Sequence, residues 1–218
     1  MRRTRRAPVR RPAPSGKALR VFDEIRGLAR RLERRATRSD GTLDRAVVGA
    51  TLAVCYLLFV PTYLAVNLYS VGRPAHILWL PGEAELVPFV PEAEFIYVLG
   101  YLLPLIVLLR IPDARHLTRL AVAFTATLAV AYATYLVFPV YLERPALDVT
   151  SVATLLLSLE YTDPSYNHFP SLHMATAVLL YLACRDGLRR PGFLLALVAA
   201  IGFSTMLVKQ HYLIDLVY

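Results

Sequence analysis

Apolar residues fall into five dense blocks, at roughly 46–69, 96–111, 117–139, 171–184 and 191–208, and a sixth opens at Tyr212. An α-helix needs about 20 residues to cross a hydrocarbon core of about 30 Å. The first and third blocks suffice alone, while the second and fourth must recruit flanking residues. Seven residues follow His211, so the sixth block is expected to be incomplete in this chain. The pattern predicts an all-α, polytopic membrane helix bundle of six spans with the sixth truncated. Ahead of the blocks, Phe22, Ile25, Leu28 and Leu32 recur at helical spacing within 17–36, with arginines on the opposite face. That spacing predicts an amphipathic helix on a membrane surface. The Arg/Pro-rich residues 1–16 are expected to be disordered. The chain therefore divides into a basic tail, 1–43, and a membrane-embedded domain, 44–218.

Charge orients this arrangement. Residues 1–46 carry 15 Lys/Arg against 5 Asp/Glu, and the remainder carries 9 against 11. Further arginines gather in the connections at 110–119 and 185–190. The connections at 70–95 and 140–170 are acidic on balance. The positive-inside rule puts the N-terminus and the arginine-bearing connections in the cytoplasm and the acidic connections outside. The basic tail is then expected on the anionic cytoplasmic leaflet. No aromatic residues interleave its arginines, so no nucleic-acid partner is expected. The first apolar block begins near Val47, too far along for a signal-peptide core, and is expected to act as its own insertion signal.

Composition agrees with a membrane protein. The chain is 56% hydrophobic with a mean hydropathy of +0.48, above the ~45–50% apolar content of a soluble domain. Its two cysteines, Cys55 and Cys184, lie in apolar blocks and read as free buried thiols. No metal-ligand spacing and no nucleotide-type glycine loop is present, so no cofactor is expected.

Three polar clusters interrupt the apolar pattern at the same ends of the spans: "YLERP" (141–145), "FPSLH" (169–173) and "STMLVKQHYLID" (204–215). Ionisable groups at membrane depth are costly and usually functional. His211 and Asp215 are four residues apart, so on a helix the carboxylate would sit one turn from the imidazole and fix its tautomer. That is the pair expected of a nucleophilic or general-base histidine. Pro170-Ser171 is a helix opening, which puts His173 in a first turn where free N–H groups favour an anion. Arg144 and Lys209 add positive charge from two other segments. His168 adjoins the motif and is a secondary candidate. His76 and His116 stand apart from it.

Arg-Pro, then Pro-Ser-x-His, then Ser-x6-His-x3-Asp, in this order, resembles the type 2 phosphatidic acid phosphatase superfamily over residues ~44–218. The resemblance implies a six-helix, metal-free membrane enzyme acting on lipid phosphates. It implies that His211 attacks phosphorus and forms a phosphohistidine, that Asp215 orients it, and that His173 acts as acid and then base. Arg144, Ser171 and Ser204 would hold the phosphate. The sequence departs from the family pattern at Val137, where a lysine is usual, at Leu172 in place of glycine, and at Thr205 in place of arginine. "FPSLHMA", "STMLVKQHYLIDLVY" and the loop "VPFVP" (87–91) look more like the inositol phosphorylceramide synthase, or inositolphosphotransferase, branch. Lys209 then stands in for the missing cations. The competing reading is a transporter or an inactive scaffold. A transporter should carry ionisable groups in mid-span or broken helices, and the span centres here are nearly free of charge.

Overall fold

The computed structural model describes residues 16–78, 80 and 82–217, and over these the chain is helical with no strand. Of the tail, residues 1–15 lie outside the described residues. The tail helix α1 (Gly16–Ala36) coincides with the predicted amphipathic stretch. Its last turns seat Leu32 and Ala36 in a core shared with later helices, while Val21, Phe22 and Leu28 remain exposed.

Asp44 accepts a hydrogen bond from the backbone N–H of Ala46 and so opens α2 (Arg45–Ser70). A short α3 (Glu83–Leu86) follows, then a 3₁₀ turn at Pro91–Ala93 that leads into α4 (Glu94–Tyr97) and α5 (Leu99–Arg110). The expected second block is thus extended backwards by Pro91 to Phe95 into one apolar stretch of 20 residues, Pro91–Arg110. Asp113 caps α6 (Ala114–Val137) through the backbone N–H of His116. The connection at 140–170, read from sequence as a loop, contains α7 (Val152–Glu160), closed at its start by a Ser151–Thr154 capping box. Ser171 caps α8 (Leu172–Cys184), Pro191 starts α9 (Pro191–Leu207), and α10 (Leu213–Val217) follows.

Three stretches are long and apolar enough to cross a membrane: α2, Pro91–Arg110 and α6. At 17 residues α9 is shorter, and α8 has 13. α8 lies centrally and packs against α5, α6 and α9. The core here is formed by Val107, Leu117, Ala177, Leu180, Val198 and Ile201. Gly202 makes the α8–α9 approach close, since a Cβ there would fall 2.7 Å from the Met174 sulfur. Of the two cysteines, Cys184 is buried and Cys55 only half-buried; both are free.

The bundle has two unlike ends. At one, Arg45 donates to the carbonyls of Leu108 and Ile111, and His116 bridges Asp113 and Asp186. The connections at 110–119 and 185–190 meet there. At the other end, three extended segments lie side by side: Val140 N–H donates to Tyr166 O, Leu142 N–H to Ser165 O, and Tyr141 N–H to His76 O. In chain order, the second and third of these segments carry or lead into the clusters at 141–145 and 169–173, and the cluster at 204–215 comes from the end of α9 and the start of α10.

Candidate active site

α8 begins just after the segment that pairs through Ser165 and Tyr166. Tyr135 of α6 donates its hydroxyl to Pro170 O at 2.6 Å, fixing the chain just before the helix. Ser171 then accepts from Met174 N–H as the N-cap. The same Ser171 oxygen lies 3.0 Å from His211 Nε2. On the other side of that ring, Asp215 Oδ2 stands 3.5 Å from His211 Nδ1. His211 and Asp215 are 8% and 1% exposed, so this pair is taken out of water.

Asp215 lies beside His211 as expected, but at 3.5 Å it makes no hydrogen bond to Nδ1, which has no partner, and the two are not on one helix. α10 starts only at Leu213, whose N–H donates to the Glu83 carboxylate. Asp215 turns back to accept from Tyr212 N–H at 2.9 Å. Two carboxylates thus set where the helix begins, and His211 sits in the turn ahead of it.

His173 lies in the first turn of α8, as the Pro-Ser opening predicts. Its ring stacks on Tyr97 at 4.4 Å with a 14° tilt, and Tyr101 meets it edge-on at 5.6 Å. Nε2 has no hydrogen-bond partner. A Cβ at Gly100 would overlap this imidazole, so α5 makes room for it by having no side chain at that position.

His168 is 3% exposed and its Nδ1 lies 2.9 Å from Gln210 O. Its ring is 5.6 Å from that of His211, at 70°. Burial holds this imidazole well below the ordinary histidine range, and the neighbouring His211 and Arg144 act in the same direction.

The cations are placed differently from one another. Arg144 donates to Asp163 Oδ1 at 2.8 Å, to Asp163 O and to Gln210 Oε1, and lies over the Tyr161 ring. Its Nε has no partner. Lys209 has a left-handed backbone, φ 54°, and donates to Val87 O. Ser204 is 1% exposed and gives its hydroxyl to Ile201 O in its own helix, so it would have to leave that bond to reach a phosphate. Val137, where the family pattern has lysine, is 80% exposed at the end of α6.

Two cavities meet at His211. One, of about 360 Å³, runs between α2, α5, α7 and α8 and is lined by aromatic and aliphatic side chains together with His168, His173 and Glu160. The other, of about 400 Å³, is lined by Arg144, Lys209, Glu83, Glu143 and Tyr212. Sequence reasoning did not single out Tyr97, Gly100, Asp163 or Gln210. The charges of the connection at 140–170 gave no sign that Asp163 would hold Arg144, because the partners are 19 residues apart in an irregular segment. His76 stacks on Phe138 away from the site, and His116 is at the opposite end. Among the described residues no group of three His, Cys, Asp or Glu is placed to hold a metal ion.

No curated protein and no solved structure gives a significant match to the chain. A model of the PAP2 superfamily matches residues 93–218, which take in Arg144, Ser171, His173, His211 and Asp215. With that match over more than half its length, this helical membrane bundle belongs to the PAP2 superfamily.

Proposed function

We propose that this protein cleaves or transfers the phosphate of a lipid through a phosphohistidine on His211, with its site facing the extracytoplasmic side. The superfamily supports a lipid phosphatase or phosphotransferase type of activity. One observation carries the finer reading: His211 has a carboxylate 3.5 Å from Nδ1 and a hydroxyl hydrogen-bonded at Nε2, at the junction of two cavities. A carboxylate at Nδ1 keeps that nitrogen protonated and leaves the Nε2 lone pair for phosphorus. Ser171 occupies that lone pair at rest and turns to the phosphate when one arrives. His173, on the aromatic cavity, gives its proton to the leaving lipid oxygen. Arg144 and Lys209 offset phosphate charge from the second cavity. The acyl chains remain on the α2 side, where the first cavity is most apolar. Sidedness rests on the arginines gathered at the opposite end. The basic helix α1 lies on the anionic cytoplasmic leaflet with Val21, Phe22 and Leu28 turned into it.

Transfer to an alcohol, as in the inositolphosphotransferase branch, is favoured over hydrolysis by the second cavity. Its Glu83, Glu143, Arg144 and Lys209 supply hydroxyl-binding groups beside the nucleophile. The test is turnover of labelled lipid phosphates by the purified protein in mixed micelles, in a chelator, with and without an added polyol. The expected result is chelator-resistant release of the lipid alcohol, with label moving to the polyol when it is present. No turnover of any phosphomonoester or phosphodiester lipid would contradict it.

A further inference from the structure

His168 is a buried histidine that the proposed reaction does not use. Its Nδ1 faces a backbone carbonyl, that of Gln210, which can only accept. Nδ1 therefore carries the hydrogen, and Nε2 of the neutral ring is a lone pair. That Nε2 is buried and without a partner, on a residue 3% exposed that lines the aromatic cavity. The His211 ring is 5.6 Å away on the same cavity. A bare acceptor in such a place takes a hydroxyl donor and cannot donate to a phosphate oxygen. We propose that His168, in place of His173, is the base for the second half of the reaction, receiving the proton of the hydroxyl that breaks down the phosphohistidine.

This rests on the reading of His211 as the nucleophile. In the first step the His211 Nε2–P bond forms, the P–O bond to the lipid breaks, and the lipid oxygen takes its proton from His173. In the second, the incoming oxygen bonds to phosphorus and the P–N electrons return to His211 Nε2. The hydroxyl proton passes to His168 Nε2 and leaves through the cavity to restore His173. The two half-reactions then use separate histidines on one cavity wall. Burial keeps His168 neutral, hence competent as a base, at neutral pH. The charged and titratable groups around it are His211, His173, Arg144 with its partner Asp163, Glu160 of α7, and the tyrosines of α2, α4 and α5.

The test is rapid-quench measurement of labelled phosphoenzyme with the full chain, in water alone and with glycerol as acceptor. His168→Asn keeps an N–H for Gln210 O and removes the base; His168→Gln is the second variant. Label should enter both at the wild-type rate. Breakdown should slow roughly 10²–10⁴-fold, the usual range for a general base, with either acceptor. In the wild type the breakdown rate should also fall on acidification, at a pH well below the ordinary histidine value of about 6.5 because burial depresses this ring, and this limb should vanish in His168→Asn. Unchanged breakdown in a variant that melts like wild type would overturn the inference, as would equal slowing of both steps, the mark of a structural role. Should neither variant fold, a wild-type breakdown rate without an acid limb overturns it. If the wild type forms no labelled enzyme, the nucleophile reading fails and this one falls with it.

Discussion

Asp215 has one carboxylate oxygen 3.5 Å from His211 Nδ1 and the other without a partner, at 1% exposure. It has no contact that reaches a substrate, so its proposed work is done through the imidazole. Asp215→Asn should lower kcat by roughly 10²–10⁴-fold with KM nearly unchanged, as removal of an acid–base partner does. A change confined to KM would contradict that role. Gly100 bears on the other histidine. A methyl group there overlaps the His173 ring, and a shift of about 1 Å in a catalytic group costs on the order of 10²-fold. Gly100→Ala should therefore lose about that much activity when assayed well below its own melting midpoint, which the overlap lowers; full activity would mean that His173 is not held where it acts. The two differ in how visible they were. His211 and Asp215 could be read from a spacing of four, because that offset brings them together in a turn as well as in a helix. Gly100 could not, since its partner lies 73 positions away and only the crossing of α5 and α8 brings them together.

At the scale of elements, the site depends on how α9 enters it. α9 runs against α8 with Gly202 on the Met174 sulfur, and its end and the turn after it deliver Met206, Lys209, Gln210 and His211 to the cavities. Gly202→Val should overpack this crossing and cost about 1–3 kcal/mol, read as a lowered melting midpoint in detergent with activity falling alongside. A wild-type midpoint would show that the helices yield there. The apolar blocks predicted α2, α6 and α9 closely, because burial in lipid demands continuous apolar helices. α7 escaped. Its nine residues are too few to span, and the acidic balance of the surrounding connection masked a local signal, the Ser151 and Thr154 cap, that was present. Leu157 of α7 packs with Tyr97, so this unforeseen helix supports the face that carries His173.

The whole molecule is polarised. His116, Asp113 and Asp186 tie the arginine-bearing end together, and the histidines and carboxylates of the site occupy the other. Charge balance along the chain made that polarity legible before any contact was known. A single cysteine at exposed Val149, in a chain with Cys55 and Cys184 replaced by serine, should react with an impermeant maleimide added outside intact cells; one at Arg189 should not. The opposite labelling would invert the topology. The junction of two cavities at His211 gives the molecule its proposed chemistry, a phosphoryl group held on one nitrogen between a lipid side and a polar side. The most direct measurement is acid-quench trapping of the enzyme after incubation with phosphorus-labelled lipid phosphate. Wild-type protein should carry acid-labile, base-stable label, and His211→Ala none. Label that survives in His211→Ala and disappears in His173→Ala would reverse the two histidines and contradict the account.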